Sequence, residues 1–344
     1  MALIQTKKLL LVIGATGAQG IAVIDGLLAP SDDGSPSPYA IRALTRDPDS
    51  RRAKELAARG VDVVRGAFDD LASVAAALQG VYGAFINTDG FTVGEQKETW
   101  AGIRIFELAK QTGVRHYIWS NLDYGFKLSN YNTTYKCEHY DGKGRVADFM
   151  QAQPSIVSET DMTWSVITSG PYMEMLYNYM FGPLKKREDG TVVFATPVGN
   201  GHVPMIALED FGFFARYTFD NRELTSAQDL QIATDRVGWE YLKATFEKNM
   251  KNVDHPVANE RPFGDGSTTW RQNFSAWWAL WRDDIIPRDY EWVRRVHPTG
   301  YTLESWMRAK RYGEHRLWEK VTLLKNTEDG KMIMPDLDYI EKTL

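Results

Sequence analysis

The sequence predicts an α/β fold in which a doubly wound parallel sheet is covered by helices and followed by a smaller, mostly helical and aromatic-rich C-terminal lobe. Three observations carry that expectation. An apolar run, Leu9-Leu10-Leu11-Val12-Ile13, leads into Gly14-Ala15-Thr16-Gly17-Ala18-Gln19-Gly20 and then into a stretch with helical apolar spacing. Strand and helix signals alternate through the first half of the chain, which implies right-handed crossovers and a buried parallel sheet. Beyond Gly170 this rhythm gives way to aromatic helical segments. The 344 residues exceed the size at which one core stops growing. A large domain over residues 1–170 and a lobe over 171–344 are therefore expected, with some later segments returning to the sheet.

The elements follow in order. The first strand ends at Gly14, and Ile21, Val23, Ile24, Leu27 and Leu28 give the first helix its apolar face. The polar run from Pro30 to Pro38 is a surface insertion. Strand signals recur at Tyr39 to Leu44, Val61 to Val64, Val81 to Ile86, His116 to Trp119 and Thr163 to Ile167. Between them lie helical stretches at Arg51 to Arg59, Leu71 to Leu78, Glu95 to Gln111 and His139 to Gln151. In the lobe, Trp239 to Phe246 and Trp270 to Trp281 read as helices, and the tryptophans crowded there read chiefly as lobe core.

Composition narrows the function. The net charge is -5 with both signs interspersed, which speaks against a nucleic-acid surface. A single cysteine, Cys137, cannot form an internal bridge and fits a reducing, cytoplasmic setting. Lys7-Lys8 before an apolar run resembles a signal peptide, yet the run breaks at Gly14, and no stretch reaches the length of a membrane span. The six histidines, His116, His139, His202, His255, His297 and His315, lack metal-ligand spacing, so no metal is expected. No G-x-S-x-G elbow is present.

The glycines point to a dinucleotide. Their G-x-x-G-x-x-G spacing allows a tight turn, lets a pyrophosphate approach bare backbone and lets the helix press on the sheet. The helix start then offers unpaired N–H groups to the anion. Gly14, Thr16, Gly17, Ala18, Gln19 and Gly20 form this expected cofactor-binding set. At the end of the second strand, where an acidic residue would hold the hydroxyls of NAD, the chain has Arg46. A guanidinium pairs with a 2′-phosphate, so NADP(H) is the expected cofactor, with Arg51 and Arg52 as a basic rim. Ala67 after the third strand offers adenine no side-chain hydrogen bond.

The sequence resembles the NmrA-like family, atypical members of the short-chain dehydrogenase/reductase group. The resemblance rests on Gly14 to Gly20, Leu44-Thr45-Arg46-Asp47-Pro48, His139-Tyr140-Asp141-Gly142-Lys143-Gly144, Pro171-Tyr172-Met173-Glu174 and Tyr301 to Trp306. It implies a Rossmann-type domain, a smaller lobe and NADP(H) in the intervening cleft. Ordinary reductases of the group protonate a carbonyl oxygen with a Tyr-x-x-x-Lys pair, whereas here histidine fills the tyrosine position, giving His139-x-x-x-Lys143. The resemblance makes Lys143 the ribose-binding lysine and an acid, His139 a proton relay or a packed residue, and Ser120 a strand-end serine that orients substrate. Thr88 and Pro171 would line the cofactor, although the chain has Gly170-Pro171 where many relatives have Arg-Pro. Phe91, Tyr124, Tyr172, Met173 and Tyr177 are the expected walls of a substrate pocket. Two functions follow: an NADPH-dependent reductase of a hydrophobic carbonyl, enone or imine, or a non-catalytic NADP(H) redox sensor that acts on a protein partner.

Overall fold

A computed structural model describes residues 7–178, 180–186, 188, 192–194, 196–246 and 262–312; His255 and His315, and the lobe beyond residue 312, lie outside them. The chain runs β1 (Lys8–Ile13), α1 (Ala18–Leu28), β2 (Tyr39–Thr45), α2 (Arg51–Ala58), β3 (Asp62–Arg65), α3 (Leu71–Ala77), β4 (Gly83–Ile86) and α4 (Gly90–Val93). It continues through α5 (Glu95–Gln111), β5 (His116–Asn121), α6 (Gly125–Leu128), α7 (Glu138–Gln151), β6 (Thr163–Ser169), β7 (Pro183–Lys186), β8 (Val192–Phe194) and β9 (His202–Met205). Then come α8 (Leu208–Asp220), α9 (Arg222–Thr225), β10 (Asp229–Ile232), β11 (Asp235–Gly238) and α10 (Trp239–Phe246). The last described elements are β12 (Pro262–Phe263), β13 (Thr268–Thr269), α11 (Trp270–Arg282), α12 (Tyr290–Val296) and α13 (Leu303–Ala309). Among the described residues no helix is long and apolar enough to cross a membrane.

Two compact units divide the chain. Among the described residues, one holds those up to 124, 139–168 and 211–231; the other holds those of 125–138, 169–210 and from 232 on.

The first unit is built on a seven-stranded sheet of order β10-β6-β5-β4-β1-β2-β3. From β3 to β6 each neighbouring pair is parallel, in the doubly wound order 3-2-1-4-5-6. The order reverses between β1 and β4, so their carboxyl ends form the topological switch point where ligands gather in such sheets. Burial on both faces explains why β1 is an unbroken apolar run instead of an alternating one. The sequence signals end β5 at Trp119 and β6 at Ile167, but both strands continue into polar residues. Their side chains pair with each other: Asn121 Nδ2 donates to Thr168 Oγ1 at 2.9 Å, and Thr168 Oγ1 donates to Asp229 Oδ1 at 2.6 Å.

Helix α8 packs on α1 at glycine pairs. A Cβ on Gly26 would lie 2.4 Å from the carbonyl oxygen of Gly212, so the two helix backbones touch. Close by, Arg216 satisfies carbonyls at the α1 C-terminus, donating to Leu27 O and Ala29 O at 3.1 Å each. His116, fully buried at the start of β5, contacts Ser165 Oγ through Nε2 at 3.0 Å, and that hydroxyl donates to Thr225 O at 2.7 Å. Ser165 therefore accepts, which makes Nε2 the protonated nitrogen of a neutral ring.

Among the described residues the second unit contains three two-stranded sheets, β9 with β11, β7 with β8 and β12 with β13. Its core is aromatic. Trp277, Trp278 and Trp281 of α11 are buried, with Phe181 packed on the first two at 5.6 and 5.0 Å between ring centroids. A capping box of Thr269 and Gln272 starts that helix. Cys137 is buried beside Asn273.

Replacing Gly26 with Ala should force α1 and α8 apart and lower the unfolding free energy by about 1–3 kcal/mol, read as a lower midpoint in urea. A second prediction concerns acid. Burial, reinforced by the charges of Arg222 and Lys8, pushes the His116 pKa down to about 3. Protons therefore favour the unfolded chain, and stability falls as pH drops from about 6.5 toward 3. In urea titrations the parent should lose up to about 1.4 kcal/mol more per pH unit over that window than His116→Gln, and equal slopes would contradict the assignment.

Candidate functional site

The glycine turn stands at the switch point. Gly14 follows β1 with φ +81°, and a Cβ there would lie 2.9 Å from Asn87 O, at the end of β4. The Gly17 N–H donates to Gly14 O at 3.0 Å and closes the turn. A Cβ on Gly20 would meet Gly14 O at 2.2 Å, so the third glycine lets α1 start against the turn. Gly17 caps α1 with no side-chain hydrogen bond, and no acidic residue lies in the first turn. The first turn of α1 thus supplies no carboxylate of its own to offset the positive end of the helix dipole. Thr16, Gly17 and Ala18 are half-buried, while Gln19 is buried.

The basic residues expected beside the turn separate into different roles. Arg46, directly after β2, is exposed. Arg51 is also exposed and pairs with Glu55 one turn along α2. Arg52, expected at the rim, is buried and donates to Thr16 O at 3.0 Å. It is a structural brace for the glycine turn. In its place, Arg65 of β3 approaches, donating to Arg46 O at 3.1 Å.

Lys143 projects from α7 into a closed polar cluster at the end of β4. Its Nζ lies 3.0 Å from both Thr88 O and Thr88 Oγ1, and 3.2 Å from Asn87 Oδ1 and Glu98 Oε1. Thr88 Oγ1 donates to Glu98 Oε1 at 2.6 Å. Trp119 presents its ring 5.2 Å from the ammonium and donates its indole N–H to Lys143 O at 3.2 Å. The charge is therefore paired, hydrogen-bonded and backed by an aromatic face, the conditions under which a buried ammonium is tolerated.

The remaining expected residues of this unit make local contacts of their own. Ser120 Oγ donates to Gln19 Oε1 at 2.8 Å, joining the end of β5 to the glycine turn. His139 is buried, with the Phe91 ring 4.7 Å and the Tyr140 ring 5.0 Å from its centroid. Tyr124 receives the Arg145 guanidinium over its ring at 5.1 Å. Pro171, Tyr172, Met173 and Tyr177 belong to the second unit. There Pro171 O accepts from Ile206 N, Met173 is fully buried and donates its N–H to Ile206 O, and Tyr177 packs on Trp306 and Tyr312.

Sequence reasoning missed Glu98, Asn87 and the inward turn of Arg52. The stretch from Glu95 to Gln111 reads only as a helix, and at its start both acidic residues are buried: Glu98 on Lys143, and Glu95 on Arg145 at 2.7 Å. The available signal was Gly142-Lys143-Gly144, since a Cβ on Gly142 would stand 3.1 Å from Glu98 Oε2 and one on Gly144 2.4 Å from Tyr124 Cβ. Small residues on either side of a lysine bring two neighbours close enough to enclose it.

Comparison with known proteins agrees with this fold. The chain is 26% identical over 255 residues to the NmrA-like family domain-containing oxidoreductase malD of Malbranchea aurantiaca, covering 70% of this chain and 72% of that protein. Crystal structures of NmrA, a negative transcriptional regulator, in complex with NAD and with NADP superpose with TM-scores of 0.69 and 0.68 at 18% identity, over 88% of this chain and 95% of that one. An NADPH-dependent quinone oxidoreductase of Escherichia coli, complexed with NADPH, superposes with a TM-score of 0.65 at 18% identity, over 88% of this chain and 99% of that one. The sequence profile of the NmrA-like family matches residues 6–261, and the chain belongs to that family.

Proposed function

We propose that this chain binds NADP(H) on the Gly14–Gly20 turn and acts as an NADPH-dependent reductase of a hydrophobic carbonyl, enone or imine. One observation carries the reading: a turn without side chains, leading into a helix start without a capping side chain or carboxylate, stands at the sheet's switch point with exposed Arg46 beside β2. These residues fit the group, because a pyrophosphate needs bare backbone donors and a 2′-phosphate needs an accessible guanidinium. The nucleotides held by the structural neighbours and the oxidoreductase names of relatives support it.

When bound, NADPH supplies a hydride. Gly14, Thr16, Gly17, Ala18, Gln19 and Gly20 would hold the pyrophosphate and Arg46 the 2′-phosphate; Thr88 and Lys143 would hold the nicotinamide ribose. The Lys143 ammonium supplies positive charge and N–H donors at the end of β4, where negative charge on a substrate oxygen is stabilised. Ser120 fixes Gln19 and brings a hydroxyl to the same end of the sheet. Phe91 and Tyr124 give the surroundings the aromatic character that favours a hydrophobic substrate.

A second reading, a non-catalytic NADP(H) redox sensor that regulates a protein partner, is favoured by one feature. His139 replaces the proton-donating tyrosine and is packed between Phe91 and Tyr140.

Arg46→Asp should weaken NADPH binding by about 2 kcal/mol, roughly thirtyfold, while leaving NADH affinity nearly unchanged; tryptophan-fluorescence titration measures both. Parallel losses for the two nucleotides would remove Arg46 from 2′-phosphate recognition. A panel of aryl ketones, enones and imines, followed by NADPH absorbance, should yield a substrate whose turnover drops at least about a hundredfold in Lys143→Ala. Tight NADPH binding with no turnover across the panel would favour the sensor.

A further inference from the structure

We infer that Glu98 is the positioning residue for Lys143, fixing where its ammonium points; the inference deepens the reading of Lys143 given above and rests on it. Glu98 is fully buried in the first turn of α5. Its Oε1 takes the Thr88 hydroxyl proton at 2.6 Å and lies 3.2 Å from Lys143 Nζ. The other oxygen, Oε2, is buried with no hydrogen-bond partner. Glycines make room for it, since a Cβ on Gly90 would stand 2.2 Å from Oε2 and one on Gly142 3.1 Å away. A carboxylate so shielded depends on its cation, and the neighbouring Arg145 is engaged by Glu95.

Donor arithmetic gives Glu98 a second effect. An ammonium has three protons, and Lys143 faces four acceptors: Thr88 O, Thr88 Oγ1, Asn87 Oδ1 and Glu98 Oε1. Because the Thr88 hydroxyl spends its own proton on Glu98, its lone pairs face Lys143. Glu98 thus orients the hydroxyl that orients the lysine, in addition to pairing with the lysine directly. Of the other acceptors, Asn87 Oδ1 is the more exposed, so a ligand hydroxyl enters the shell of Lys143 by exchange with Asn87 while Glu98 and Thr88 keep their hold.

The test compares the parent chain, Glu98→Gln, Lys143→Ala and the double variant. In the absence of nucleotide, modification of Lys143 by trinitrobenzenesulfonate, followed by peptide mass analysis, should run about tenfold faster in Glu98→Gln because the amine is no longer clamped. An unchanged rate overturns the inference. In NADPH titrations Glu98→Gln should weaken binding about fivefold in the parent background and have no effect once Lys143 is alanine. Equal losses in both backgrounds would assign Glu98 a merely structural role and also overturn it. Failure of the parent to bind NADPH would remove the cofactor reading, and the labelling rate then decides the role of Glu98 by itself. Should Glu98→Gln not fold, Glu98→Asp, which keeps the charge on a shorter arm, should label at an intermediate rate; a rate equal to the parent's counts against the inference.

Discussion

Everything functional in the first unit is organised by the near-contact of two backbones where β1 and β4 end. Gly14 lies so close to Asn87 that a side-chain carbon would stand 2.9 Å from its carbonyl oxygen, and the glycine accepts φ +81° there without the strain another residue would meet. On one side of that contact the chain turns through Gly17 and Gly20 into α1. On the other, Asn87 and Thr88 become the acceptors that receive Lys143. The glycine turn and the lysine cluster are therefore two outcomes of one constraint, the reversal of strand order between β1 and β4.

The lysine cluster is held by electrostatics in a sealed place. A single ammonium brings together residues from the end of β4, from α5 and from α7, and Trp119 of β5 covers it. Burying two charges is costly, and the arrangement is sustained because nearly every polar atom finds a partner. Such a pair adds little net stability compared with an apolar core, but removal of one member leaves the other uncompensated. Its value lies in direction: an ammonium with fixed neighbours presents a defined donor, as binding and catalysis require.

Much of this was legible in the sequence. β1 is an unbroken apolar run because the sheet is covered on both faces, and the glycine spacing stands out once it lies between a strand and a helix. Ser120 was legible as a strand-end residue, but the extension of β5 to Asn121 and of β6 to Ser169 was not, because Asn121 and Thr168 look like loop residues until their mutual hydrogen bond is seen. That later segments return to the sheet was expected, but not that they are α8 and β10, which join the sheet unit through contacts distant in sequence, such as Gly212 on Gly26. Within the cluster, Lys143 could be singled out from its helix position, whereas nothing in the sequence singled out Glu98, forty-odd residues earlier. Burial is a tertiary property, and a charged residue at a helix start carries no local mark of it.

Membership of the NmrA-like family leaves room for both a reductase and a sensor, and the two share one requirement, a nucleotide on the Gly14–Gly20 turn chosen by Arg46. Calorimetric titration of the intact chain with NADPH and with NADH tests that requirement most directly. The account predicts saturable binding of NADPH, tighter than NADH by at least about tenfold because Arg46 pairs with the additional phosphate. Absence of heat with either nucleotide, or tighter binding of NADH, would contradict it.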